Sequence, residues 1–253
     1  MKKIFILLLT SAGLFSAILA NAQSSDTTRS GRWFKHDIAG AIQLQATYRK
    51  TDLQQLNQIL NSNNIPSLSN NNIWLNASMS HIFKKFIIED GIGFTPITSS
   101  EVNGLKAKYN QYQAFLRFGY NIAESPNYRL YPFAGINFSA AVLNIKDKAR
   151  IENTNDFSQE ILNSTSSKTF FQPNFGIDLG AGFDYLIKVK SKQMDNFEVE
   201  RNIPIGLRVG YYINAYQGDW KIDDHSLQNG PDNKNSAFFV TFNIGLGYQI
   251  RKR

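Results

Sequence analysis

Four charged residues stand inside stretches that otherwise alternate between apolar and small polar types: Glu89, Arg117, Asp178 and Arg208. Two carboxylates and two guanidinium groups share one chemistry, the forked Arg–carboxylate hydrogen bond. Gathered in an interior, they would form a charge network that fills it. Desolvated pairs of this kind are poor evidence of stability and better suited to a gate. The alternative is four separate, hydrated charges. The histidines offer less. Ser80 and His81 invite comparison with a nucleophile–base pair, but neighbours in a strand point to opposite faces. His225 lies in "KIDDHS" beside Asp223 and Asp224, where a weak cation site competes with a simply solvated loop; His36 stands alone near the N-terminus. No G-x-S-x-G, H-E-x-x-H or Walker pattern occurs, and the chain has no cysteine. The expectation is a non-enzyme without metal or cofactor.

The elements that must carry these charges are strands. "NFGIDLGAGFDY", residues 174–185, places Phe175, Ile177, Leu179, Ala181, Phe183 and Tyr185 on one face and Gly176, Asp178, Gly180, Gly182 and Asp184 on the other. This is the period of a β-strand. Seven further segments behave alike: 38–48, 73–82, 86–94, 109–122, 131–143, 203–214 and 238–250. Each is roughly the 9–11 residues that a tilted strand needs to cross a bilayer, or a little longer. In most of the segments the apolar face is continuous. The other faces carry Gly, Ser, Asn, Gln and an occasional charge, not the Lys and Glu that a soluble barrel puts outside. The pattern predicts lipid outside and a narrow polar lumen inside. Glycine relieves crowding there, because eight strands leave an interior just wide enough for side chains to fill. The fold class is therefore all-β: an eight-stranded antiparallel up-and-down transmembrane β-barrel. A secreted lipocalin-like or sandwich protein is the competing reading.

Connections and aromatics set an orientation. The connections after segments one, three, five and seven are long; those after two and four are short. In such barrels the long ones are extracellular. The connection over 188–202 is long for a periplasmic turn, is strongly charged, and could continue its hairpin below the membrane. In the first long loop, Leu53, Leu56 and Leu60 recur at helical spacing, with Thr51 or Asp52 available as N-cap. A short helix is expected there, folded against the rim or over the mouth. Tyr120, Tyr185 and Tyr248 end strands at the periplasmic edge, and Tyr48, Phe94 and Phe238 lie at the other; together they form two interfacial girdles. One segment resists. In "FIIEDGIGF" either register turns Glu89 or Asp90 toward lipid, unless a β-bulge turns both inward.

The N-terminus reads as a secretory signal: Lys2 and Lys3, an apolar stretch, then Ala20-Asn21-Ala22 as a cleavage site. The domain plan is a signal peptide over 1–22, a periplasmic segment over 23–36 containing Trp33 and Phe34, and the barrel over 37–253. The formal net charge is +7, and two of those charges leave with the signal. The remaining basic excess is spread along the chain and makes no nucleic-acid stripe.

The mature chain resembles the eight-stranded outer-membrane β-barrel families of Gram-negative bacteria, of the OmpA/OmpX and PorT-like kinds. The residues that carry this are Ala20-Asn21-Ala22, the glycine-spaced segments at Gly176–Gly182 and Asn243–Gly247, "IPIGLRVGYY" at 203–212 and "LYPFAGI" at 130–136. The resemblance implies outer-membrane insertion by the barrel-assembly machinery, with outer-membrane lipids and lipopolysaccharide as surroundings. The family often ends on an aromatic residue; this chain ends Arg251-Lys252-Arg253, so Tyr248 is the candidate for that role. No peptidoglycan-binding domain is expected after the barrel, so the two-domain OmpA plan is not expected either. The expected function is an envelope structural, adhesive or partner-binding barrel with a filled lumen and an unidentified envelope partner. The first alternative is a transport or secretion-machine component of the PorT-like kind. The second is a lipid-modifying envelope enzyme.

Overall fold

The computed structural model describes residues 38–123, 125–147, 167–194, 197–223, 225–231 and 236–252. The expected signal peptide, the segment over 23–36 with His36, Trp33 and Phe34, and Asp224 lie outside these residues. The main strands are β1 (Ile38–Arg49), β2 (Ile73–Phe83), β3 (Phe86–Phe94), β5 (Leu105–Tyr120), β6 (Tyr128–Asp147), β7 (Ser167–Met194), β8 (Phe197–Gln217) and β11 (Ala237–Lys252). Each pairs antiparallel with the next, and β11 returns to pair with β1 along its whole length. The sheet is thereby closed into an eight-stranded barrel with no free edge among these strands. Three short strands are accessory: β4 (Thr98–Val102) against β5, and β9 (Lys221–Ile222) with β10 (His225–Ser226) beside β7.

Alternation in sequence becomes inside and outside. On β1, Ile42 and Leu44 are each 66% exposed, whereas Gln43 and Gln45 are 2% and 4% exposed. The same inversion holds on every main strand: Leu179, Leu207, Val209, Phe242 and Ile244 are outside, and Asn76, Asp178, Arg208, Thr241 and Asn243 are inside. A soluble barrel cannot leave such a band of large apolar side chains on its surface. A barrel in hydrocarbon requires one. All six expected girdle residues, Tyr48, Phe94, Tyr120, Tyr185, Phe238 and Tyr248, face outward.

The strands run longer than the alternating segments indicated. β7 and β8 continue as one hairpin to the Met194–Phe197 pair, well past the girdle tyrosine Tyr185. The long connection over 188–202 is thus mostly strand. β3 shows no register shift against either neighbour. The bulge that would turn both acids inward is absent. Glu89 faces the lumen, and Asp90 faces out, half-exposed, 4.0 Å from His81 Nε2.

The helix is α1 (Gln54–Ser62). Neither Thr51 nor Asp52 occupies its N-cap. Leu53 does, and the Asp52 carboxylate accepts the Gln54 N–H from one residue further back, at 2.9 Å. Leu53, Leu56 and Leu60 are buried with Leu68, with Trp220, and with the inward residues Ala107, Tyr109, Ala141 and Leu143 of β5 and β6. The helix therefore seats over the barrel mouth and not on the outer rim. This helix end carries the connections after β1, β3, β6 and β8; the other end carries those after β2, β5 and β7.

Candidate functional site

Among the described residues the lumen is the one place where charge is buried in quantity. Register sets the geometry. Glu89 on β3 pairs with Arg117 on β5, Arg117 pairs with Gly135 on β6, and Gly135 pairs with Asp178 on β7. All four share one row of the inner wall. Arg117 donates from Nε and Nη2 to one Asp178 oxygen at 3.0 and 2.8 Å, and its Nη1 lies 3.7 Å from Glu89 Oε2. Arg208 reaches across from β8: its Nη2 lies 3.2 Å from Glu89 Oε1 and donates to Gln43 Oε1 at 2.8 Å. Gln45 and Ser78 complete the shell by donating to the same Glu89 oxygen. The four charges named from the sequence are thus brought together as a single network, and the reading of separate hydrated charges is set aside.

Neutral groups extend this plug toward the helix end. Thr241 and Thr47 share a hydrogen bond of 2.7 Å, Asn76 donates to Thr47, Gln113 donates to Asn76, and Asn137 donates to Gln113. Toward the turn end, Asp184 accepts from Tyr131 Oη at 2.9 Å and from Asn243 Nδ2 at 3.0 Å. A buried charge must be paired and hydrogen-bonded to be tolerated, and this wall supplies the partners from all eight main strands.

Aromatic rings fill the remaining space. Phe115, Tyr131, Phe133, Tyr212 and Phe239 point into the lumen, and the Arg117 guanidinium lies 4.2 Å from the Phe115 ring centroid. These rings explain the small residues opposite them. A Cβ on Gly180 would come within 2.7 Å of Phe133 Cζ and 2.4 Å of the Val209 carbonyl oxygen, and one on Gly176 would meet the Tyr212 ring. Gly182 stands in the same relation to Tyr131. The expectation of a cramped lumen holds, and its cause is aromatic. Strand parity would have found Phe115, which shares a face with Gln113 and Arg117. The eye passes over it because the outward face is aromatic too.

The Ser80 and His81 side chains lie on opposite sides of the wall. Ser80 is buried in the lumen with its hydroxyl donating to the Ala41 carbonyl at 3.4 Å, and His81 faces out toward Asp90. They cannot act as a nucleophile–base pair. His225 is in the accessory strand β10, exposed. Among the described residues no group of three or more His, Asp and Glu is placed to hold a metal ion.

No protein-family model matches the chain, and no curated protein matches it either. Solved structures do. Ail of Yersinia pestis is 14% identical, with 85% of this chain and 98% of that one covered at a TM-score of 0.35. Neisserial surface protein A is 12% identical, with 83% and 97% covered at 0.33. The outer-membrane protease OmpT of Escherichia coli is 9% identical, with 87% and 98% covered at 0.28. At these identities and scores the similarity does not carry a role across. The architecture rests on the strand pairing itself.

Proposed function

We propose that this chain is an outer-membrane β-barrel, exported through a signal peptide cleaved after Ala22, which serves the envelope as a structural, adhesive or partner-binding element and not as an open pore. The observation that supports this most is the lumen: Glu89, Arg117, Asp178 and Arg208 interlock across it and inward aromatic rings pack around them. An eight-stranded interior has no spare width for a channel once it is filled in this way. The apolar exterior with its two aromatic girdles supports insertion in a bilayer, where lipid and lipopolysaccharide are the surroundings and barrel-assembly machinery is the route. With β1 starting and β11 finishing at the turn end, that end is assigned to the periplasm and the helix end to the outside.

Planar-bilayer recording tests the filled lumen. The native protein should show no steady conductance, whereas a Glu89→Ala/Arg117→Ala/Arg208→Ala variant should leak. A stable open channel in the native protein would defeat the reading.

A second reading, a component of a secretion machine of the PorT-like kind, is favoured by the β7–β8 hairpin. It runs past Tyr185 to Met194 and carries Lys188, Lys192, Glu198 and Glu200 beyond the girdle. A pull-down from outer membranes under mild detergent, repeated after trimming that hairpin, separates the two: a partner lost on trimming selects the machine.

A further inference from the structure

Seven charged side chains are buried among the described residues: Arg49, Arg117, Arg129, Arg208, Glu89, Asp178 and Asp184. Cations outnumber anions by one. Arg117 and Arg208 are held by Glu89 and Asp178. Arg129 stands opposite Asp184 in the β6–β7 register. The excess falls on Arg49, at the helix end of β1.

Arg49 is only 9% exposed. Its guanidinium carbon lies 4.2 Å from the Trp74 ring centroid and 4.3 Å from that of Tyr212. Both rings are within cation–π distance of the guanidinium. Its N–H donors lie in the plane of the guanidinium, at its edge, and no ion pair or side-chain hydrogen bond of Arg49 occurs among the described residues. Arg49 also lines a small, partly open polar cavity between the plug and the leucine cluster under α1. Lys50 lines it too, with hydroxyl and amide groups from Thr51, Gln111, Ser139 and Gln172; neither Asp nor Glu does.

We propose that this cavity is a binding site for a small oxyanion of the phosphoryl class, with the edge of Arg49 as its principal donor. A guanidinium fork matches two oxygens of one phosphoryl group, and Lys50 adds a second positive charge at the entrance. The residues of the cavity wall face the lumen and not the lipid. The ligand therefore arrives through the mouth, as a free ion or as the phosphate of a soluble sugar. The site is independent of whether the barrel's role is adhesive or structural.

The test uses the mature protein refolded in detergent, with heat-modifiable migration as the check on folding. Inorganic phosphate is titrated at constant ionic strength maintained with sodium chloride, and binding is read by calorimetry and by the shift of the thermal midpoint. Saturable binding is expected. Arg49→Gln should weaken it by about tenfold or more, and Lys50→Gln by about two- to threefold. Gln111→Glu supplies an internal carboxylate in the cavity. It should abolish phosphate binding while raising the midpoint of the phosphate-free protein, and it carries the test if Arg49→Gln does not fold. Glucosamine 1-phosphate in a parallel titration distinguishes the sources: equal binding selects a phosphosugar, and binding of inorganic phosphate alone selects the free ion. Absence of saturable phosphate binding to the native protein overturns the proposal. So does binding that Gln111→Glu leaves unchanged.

Discussion

Arg117 and Asp178 belong to strands that are not neighbours, yet the guanidinium makes two hydrogen bonds to the carboxylate, at 3.0 and 2.8 Å. The strand between them contributes Gly135, which is in register with both. A Cβ at that position would fall 2.6 Å from Arg117 Cγ and 2.6 Å from the Leu116 carbonyl oxygen. The glycine is what lets the arginine lie across β6 and reach the acid.

Removing the arginine leaves Asp178 buried without its cation. Arg117→Met should therefore cost about 3–5 kcal/mol, the range for breaking one side of a buried pair. Asp178→Asn in the same background should recover much of that loss, because the stranded charge is gone. Urea midpoints of the single and double variants in detergent give the coupling directly. Additive losses would show that the pair is not the unit described.

Gly135→Ala is expected to resemble Arg117→Met more than a surface change, because its methyl group displaces the Arg117 stem. A loss of about 1–3 kcal/mol is the usual range for overpacking, and the same urea midpoints measure it. In an Arg117→Ala background Gly135→Ala should cost less than in the native protein, because only the contact with the Leu116 carbonyl remains.

The two faces of β7 separate lipid from lumen. Leu179→Arg should cost about 2–4 kcal/mol if the residue lies near the midplane. Gly180→Leu, which drives a side chain into Phe133 and the Val209 carbonyl, should cost about 1–3 kcal/mol. Leu179→Ala should be mild, because lipid fills the space. If Leu179 were in a soluble core, that alanine would instead cost about 2–5 kcal/mol. Refolding in detergent followed by urea titration ranks the three.

Orientation is open to chemical labelling, since the chain has no cysteine of its own. Gln228→Cys, exposed between β10 and β11, should react with an impermeant maleimide on intact cells. Asn127→Cys, exposed in the turn between β5 and β6, should react only after lysis. The reverse pattern would invert the assignment of inside and outside.

Leu56→Asp should free α1 from the mouth without unfolding the barrel, since it puts a charge in the leucine cluster and touches no part of the plug. Trp220 packs in that cluster. Its fluorescence should shift toward that of a solvated indole while the urea midpoint of the barrel stays in place.

Much of this architecture was written in periodicity. Alternation of apolar with small polar residues determines which side chains of a closed sheet meet lipid, since the period of a strand leaves no third choice. It therefore placed Leu179, Gly180 and the six girdle aromatics on their proper faces and named Arg117, Asp178 and Arg208 as inward groups. Alternation is silent on distance. Residues 89, 117 and 178 meet because the registers of β3, β5, β6 and β7 align them in one row, and register is a property of pairing between strands, not of any one strand. The choice between Glu89 and Asp90 was undecidable locally for the same reason; the cations waiting at Arg117 and Arg208 draw Glu89 inward and leave Asp90 beside His81. Arg49 falls just past the alternating segment over 38–48, so periodicity gives it no face. Only the closed barrel, which brings Trp74 and Tyr212 against it, turns it into a buried cation lining a cavity that no acid lines.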